Sequence, residues 1–107
     1  MFTGEKLDNE KPRMADFYPD ISKAFEAFVD VAQYGAQKYG EGRGRRNWQT
    51  LPNAVPRFKN ALMRHVHSYM SGETIDIESG KSHLAHIIWN CAILLRLSDR
   101  GSTIDWL

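Results

Sequence analysis

The segment from Ser82 to Ser98 has helical character and is apolar on nearly all sides in its second half, which limits the folds open to this chain. Its apolar residues are Ile88, Cys91, Ala92, Ile93, Leu94, Leu95 and Leu97. Such a helix lies at the centre of a core or between subunits. A chain of 107 residues has room for one modest domain, with too few helices to cover it completely. We therefore predict an all-α protein that assembles through its helices as a homo-oligomer.

Two further segments show the period of a helix. The first runs from about Asp20 or Ser22 to Tyr39, and the second carries Pro56 in its first turn and stops at Gly72. The predicted inner face of the first helix consists of Phe25, Phe28, Val29, Ala32, Gly35, Ala36 and Tyr39. Strand-like alternation is absent from the sequence. We predict a small bundle of three to four helices in residues 19–107, preceded by an extended N-terminal arm of residues 1–18.

Composition excludes several classes of protein. The net charge of +1 favours no particular partner, so we expect no stable nucleic-acid binding. The single cysteine permits no intrachain disulfide, which suits a reducing cytoplasm. No apolar run approaches the ~20 residues that span a bilayer, and the N-terminus lacks an apolar signal core. We expect a cytoplasmic protein without a membrane association.

Three carboxylates, Glu73, Asp76 and Glu78, lie together in the segment before the third helix. Hard cations take several oxygen ligands at once, so the cluster predicts a site for Mg²⁺ or Mn²⁺. Two simpler interpretations remain open. The acids are a solvated loop, or they stabilise the N-terminus of the third helix through its dipole.

His83, His86 and Asn90 follow at helical spacing and share one face, and His65 points inward from the second helix. Such histidines are often buried, hydrogen-bonded residues that fix helix packing. Three polar groups in a row on one stripe, facing a fourth, favour a site instead. In that interpretation the stripe is the wall of a pocket that rests on the apolar core.

The basic residues and the loop between the first two helices suggest contacts to phosphate. Lys38 ends the first helix beside a loop that holds Asn47, Trp48 and three arginines, Arg43, Arg45 and Arg46. The arginines are solvated charges by default, or they clamp a polyphosphate. Gly80-Lys81-Ser82 looks like the end of a P-loop, but Ile75 stands where that motif requires glycine.

Six motifs between residues 11 and 97 resemble a phage and bacterial family, the N-terminal-type dATP/dGTP diphosphohydrolase domain, which is related to MazG-like all-α nucleoside triphosphate pyrophosphohydrolases. The motifs are Lys11-Pro12-Arg13, Val31-Ala32 with Tyr34-Gly35-Ala36-Gln37-Lys38-Tyr39-Gly40, Asn47-Trp48, Ala61-Leu62-Met63-Arg64-His65, Gly72-Glu73-x-x-Asp76-x-Glu78-Ser79-Gly80, and His83-Leu84-Ala85-His86-x-x-x-Asn90. The resemblance implies an all-α dimer or tetramer. It also implies Mg²⁺- or Mn²⁺-dependent cleavage of a purine deoxynucleoside triphosphate to the monophosphate and pyrophosphate.

This chain departs from the MazG-like pattern of two acidic pairs on successive helices. Glu73-x-x-Asp76 matches the second pair in type, whereas Glu26 and Asp30 of the first helix are four residues apart instead of three. The leading hypothesis remains a pyrophosphohydrolase of phage nucleotide metabolism, active in the host cytoplasm. In it, Lys38, Arg64 and Lys81 neutralise the triphosphate, and His65, His83 and His86 orient the attacking water or take its proton. Asn47 or Asn90 contacts the base or sugar, and Trp48 stacks on the base.

Two alternatives have no catalytic activity. The incomplete acidic pattern favours a protein that binds a nucleotide or cyclic nucleotide without turnover, as a phage sponge against host defence signalling. The third hypothesis, a purely structural oligomerisation module, fits poorly with the polar stripe on the third helix.

Overall fold

The computed structural model describes residues 10–38 and 52–98, and these form three helices. Helix α1 is Met14–Lys38, α2 is Ala54–Met70 and α3 is His83–Ser98. In these two ranges the only pairing of strand type is an isolated antiparallel bridge between Ile75 and Ser82. The prediction of a small all-α bundle is therefore confirmed.

Helix α3 holds the core together, because it packs against both α1 and α2. Its apolar residues Ile93, Leu94 and Leu97 are buried with Val55 of α2. The residues that pack around this cluster are Ala54, Phe58, Leu62 and Trp89. One side of α3 remains uncovered, since Leu95 is 68% exposed. The helix is thus central to the fold, as its composition predicts, and still has an apolar face without a covering element among the described residues.

Helix α1 begins at Met14, six residues before Asp20, where the sequence placed its earliest start. Residues 14–18, predicted to be part of an extended arm, are therefore helical, while residues 1–9 lie outside the described residues. The first turn is stabilised by Arg13, whose carbonyl accepts the Asp16 N–H at 3.2 Å and whose side chain pairs with the Asp16 carboxylate at 2.7 Å. An acid in the first turn also suits the helix dipole. Pro19 lies inside this helix, although a proline in a helix interior removes one backbone hydrogen bond.

The buried side of α1 also differs from the prediction. Its one buried residue is Val31, which is not on the predicted inner face, whereas Phe25 of that face is 46% exposed. The contacts of α1 with α3 come from its C-terminal half, where the Phe28 ring lies 6.3 Å from that of Trp89. The other half of the helix keeps a row of exposed large apolar side chains: Met14, Phe17, Tyr18, Ile21 and Phe25. None of the described helices is long and apolar enough to cross a membrane.

The α2–α3 loop, residues 71–82, is tightly hydrogen-bonded despite its exposure. At its start, Gly72 has φ 104°, which suits glycine and ends α2 where the sequence predicts. The chain then folds back on itself: Asp76 N–H donates to the Lys81 carbonyl at 2.8 Å, and His83 N–H donates to the Thr74 carbonyl at 2.9 Å. Gly80, with φ 72°, forms the turn. The loop thereby holds its acidic side chains beside the first turns of α3.

Candidate functional site

Three ionisable side chains form a linear chain of hydrogen bonds. The Nδ1 atoms of His65 and His83 are 2.9 Å apart, and Nε2 of His83 lies 2.7 Å from Oε1 of Glu73. His83 is only 2% exposed, and both of its ring nitrogens have protein partners, the partly buried His65 and the more exposed Glu73. Helix α2, helix α3 and the loop between them each contribute one member of this chain.

His86 occupies the next turn of α3 and connects to the loop by a second set of contacts. Its Nε2 lies 2.7 Å from Oγ of Ser79 and 3.7 Å from Oδ2 of Asp76. The same Asp76 oxygen accepts the backbone N–H of Ser79 at 2.9 Å, which fixes the carboxylate in a turn. The His86 ring also stacks on His65, with 4.2 Å between centroids and 6° between planes. The two sets of contacts therefore form one cluster.

A pocket of about 150 Å³ opens beside this cluster. Its cationic side chains are Lys38 and Arg64, and its acids are Asp76 and Glu78. The remaining lining residues are Val31, Tyr34, Gly35, Ala61, His65, His86, Trp89 and Asn90. Lys38 reaches from the end of α1 to Glu78 with a separation of 2.7 Å between Nζ and Oε2. Every described helix thus contributes to a wall that contains both signs of charge.

The cluster favours neutral imidazoles and an ionised carboxylate. Burial lowers the pKa of His65 to about 4, and the neighbouring His86 and His83 act in the same direction against the opposing effect of Asp76. Burial also lowers the pKa of His86. For Asp76, burial opposes ionisation, but hydrogen bonds from the Ser79 side chain and backbone outweigh it and the net pKa is lowered. At neutral pH the site accordingly contains imidazoles able to accept a proton beside a fixed negative charge.

The low pKa of His65 predicts how stability depends on pH. Above about pH 6.5 the ring is neutral in both folded and unfolded chains, so it contributes no pH dependence. Between pH 6.5 and about 4 the unfolded chain binds the proton and the folded chain does not, so the free energy of unfolding falls as the pH falls. Urea denaturation across this range should show the decline, and it should be shallower in His65→Gln. An equal slope in both proteins would contradict the assignment.

The structure brings together most of the residues predicted for the site. The three histidines contact one another or share partners. Glu73 lies against His83, and Glu78 lies against Lys38. Asp76 lies against Ser79, which in turn contacts His86. Asn90 lines the pocket, but its amide donates to the His86 carbonyl at 2.8 Å.

Lys81 is separate from this pocket and lines a neighbouring one with Asp30. Glu26 is exposed, and neither it nor Asp30 lines the main pocket. Five residues of the predicted site and its loop, Arg43, Arg45, Arg46, Asn47 and Trp48, lie outside the described residues.

Two residues with direct roles in this geometry were not among the predicted site residues. Ser79 bridges the loop to His86, and its Oγ also accepts the Lys81 N–H at 3.1 Å. Tyr34 lines the pocket, with Lys38 Nζ 5.9 Å from its ring centroid. Ser79 stands in the motif Gly72-Glu73-x-x-Asp76-x-Glu78-Ser79-Gly80, which is the sequence signal that could have found it. Tyr34 likewise stands in one of the six motifs, one turn before Lys38.

The described helices thus form a small all-α bundle with a pocket lined by carboxylates, basic side chains and histidines. A family described as "dATP/dGTP diphosphohydrolase, N-terminal" matches residues 2–106. The match spans nearly all of the sequence, and the chain belongs to this family. Neither a curated protein nor a solved structure matches the chain.

Proposed function

We propose that this protein is a metal-dependent pyrophosphohydrolase that converts dATP or dGTP to the monophosphate and pyrophosphate. The proposal rests on one observation. A single pocket contains the cationic side chains of Lys38 and Arg64, the carboxylate of Asp76 and two neutral imidazoles. The family supports the same substrate class through its description, which names an N-terminal domain. Action in the host cytoplasm, within phage nucleotide metabolism, is the remaining part of this proposal.

The reaction requires water to attack the α-phosphorus, which breaks the bond from that phosphorus to the oxygen bridging to the β-phosphate. The chain offers groups for each need of this step. Lys38 and Arg64 stabilise the negative charge on the phosphate oxygens and on the departing pyrophosphate. His86 is neutral near pH 7 and can accept the proton of the water, and the Asp76 carboxylate stabilises the imidazolium that results.

The donor set around Asp76 fits a divalent ion, since carboxylate oxygen and imidazole nitrogen are both ordinary ligands of such ions. In the proposed function this is the Mg²⁺ or Mn²⁺ predicted from the sequence. When bound, the ion neutralises phosphate charge and lowers the pKa of water.

The pocket is smaller than the roughly 300 Å³ at which sites for drug-sized ligands begin. It therefore suits the phosphate groups of a nucleotide, while the base extends beyond it. We keep Asn47 and Trp48 as the proposed contacts to the base.

Incubating the tag-free protein with each deoxynucleoside triphosphate and Mn²⁺ or Mg²⁺ tests this function. We expect release of pyrophosphate and monophosphate from dATP or dGTP, detected by chromatography. Arg64→Ala should lower kcat/KM, whereas Arg57→Ala on the exposed part of the same helix should not. Tight binding of a nucleotide with no turnover of any would overturn the hydrolase and favour the nucleotide-binding alternative.

The same proposal includes a homo-oligomer. Five large apolar side chains lie in a row along the N-terminal half of α1, and Ile21, at its middle, is 55% exposed. Monomeric proteins rarely expose a continuous apolar surface of this kind. A second copy of the chain offers a matching surface, because two-fold association brings the same helix face against itself.

Light scattering after size exclusion should show a dimer or tetramer for the wild type and a smaller species for Ile21→Glu. A buried carboxylate without a partner opposes association strongly. Lys23→Glu introduces the same side chain on the opposite face of α1 and should leave the mass unchanged. A monomeric wild-type protein, or equal masses for the two variants, would contradict the proposed interface.

A further inference from the structure

We infer that His65, Asp76 and His83 form a binding site for a first-row transition-metal ion, and that Glu73 positions His83 in it. One ligand atom from each of the three residues lies within 4.8 Å of the other two. The set contains two nitrogen donors and a single carboxylate, in place of the three carboxylates predicted from the sequence. The inference deepens the proposed function, on which it rests for its role in catalysis, but ion binding at this site is measurable without turnover.

The hydrogen-bonding pattern prepares His83 as a ligand. A carboxylate can only accept a hydrogen bond, so the contact of 2.7 Å with Glu73 places the ring proton of His83 on Nε2. In the neutral ring, Nδ1 then carries the lone pair, and it is this atom that faces His65. Histidine ligands in metalloproteins are commonly oriented by a carboxylate on the other ring nitrogen.

The spacing of the two histidines fits a shared ion. Two nitrogens that bind one ion at about 2.1 Å and at right angles to each other are about 3.0 Å apart. The observed separation of the two Nδ1 atoms is 2.9 Å. The same distance suits a hydrogen bond from a proton on His65 Nδ1, which would hold the pair together when no ion is bound. Ion binding then requires that this proton move to Nε2 of His65 and that the two rings turn until both Nδ1 lone pairs point at the ion.

The third ligand is held in place by the loop. Asp76 accepts the Ser79 N–H through Oδ2, and the loop backbone is fixed by the pairing of Asp76 N–H with the Lys81 carbonyl. A ligand that is already ordered loses little entropy when it binds an ion. Asp76 and His65 also line the pocket, so an ion at this point lies beside the proposed phosphate site.

The donor types determine which ions the site prefers. Imidazole nitrogen suits Mn²⁺, Co²⁺ and Zn²⁺, whereas Mg²⁺ is usually bound through oxygen atoms and retains several water molecules. Glu78, the other acid of the pocket, is paired with Lys38 and does not belong to the set. We therefore expect the site to bind Mn²⁺, Co²⁺ and Zn²⁺ more tightly than Mg²⁺.

The test is titration calorimetry of tag-free, chelator-treated full-length protein with Mn²⁺, Co²⁺, Zn²⁺ and Mg²⁺, together with the visible absorption of the Co²⁺ form. We expect one ion per chain and an affinity for Mg²⁺ at least tenfold weaker than for Mn²⁺. His65→Gln should abolish the Co²⁺ absorption. Glu73→Gln, which keeps an oxygen acceptor for His83, should weaken binding by about 10- to 100-fold.

His67→Gln is the matched control, because His67 is exposed on the same helix two residues from His65. Binding by His67→Gln should equal that of the wild type. If His65→Gln binds the ions as His67→Gln does, or if Mg²⁺ binds as tightly as Mn²⁺, the site is overturned. If ion binding follows the expected pattern but no nucleotide is hydrolysed, the site stands and the proposed hydrolase fails.

Discussion

Asp76→Asn is expected to lower kcat/KM for dATP or dGTP by about 100-fold, the scale of removing one electrostatic group from a preorganised site. The asparagine oxygen can still accept the Ser79 N–H, so the loop keeps its turn while the negative charge beside His86 disappears. Steady-state kinetics of pyrophosphate release measures the change. A circular dichroism spectrum and melting temperature near those of the wild type would show that the loss is not one of folding.

Glu26→Gln is the control for this prediction. Glu26 is the nearest match on α1 to the first acidic pair of MazG-like enzymes, yet it is exposed and does not line the pocket. Its replacement should leave kcat/KM unchanged. A large loss in Glu26→Gln combined with a small one in Asp76→Asn would place the catalytic acids on α1 and contradict the site described above.

His83→Ala is expected to have the largest effect on stability, about 2–4 kcal/mol in the free energy of unfolding. The ring is 2% exposed, so its removal opens a cavity and leaves the partly buried His65 without its hydrogen-bond partner. Denaturation in urea, with a chelator present so that bound ions do not contribute, measures the change. For a domain of this size the melting temperature should fall by roughly 8 °C or more.

His67→Ala makes the same chemical change at an exposed position of α2, where it should alter stability by no more than about 0.5 kcal/mol. If His83→Ala were as stable as His67→Ala, the buried hydrogen-bond chain would have no structural role.

The local parts of this arrangement were readable from the sequence. The spacing of His83, His86 and Asn90 put them on one helix face, and all three are buried there. The period of α2 turned His65 inward, as observed. The sequence marked Gly72 as the end of α2, and its observed φ of 104° is a conformation that suits glycine. Each of these predictions depends on neighbours within one or two helical turns.

The parts that depend on distant contacts were not readable. The pairing of Glu73 with His83 and of Glu78 with Lys38 follows from how the loop folds against α1 and α3, which no local pattern specifies. The apolar positions of α1 predicted a buried face, but only tertiary packing selects which side is covered, and Val31 is buried while Phe25 is not. Helix α1 also contains Pro19 and begins six residues before Asp20, which the local pattern did not indicate.

The bridge between Ile75 and Ser82 has a consequence for how this family evolves. It clamps the chain on either side of residues 76–81, so that an inserted or deleted residue there would shift Asp76 relative to His83 by one full position. Natural variants of this loop should consequently differ by substitution while keeping its length, even at exposed positions such as Ile77. The number of residues separating the aspartate from the first histidine of α3 should therefore persist in diverged relatives after most of the sequence has changed.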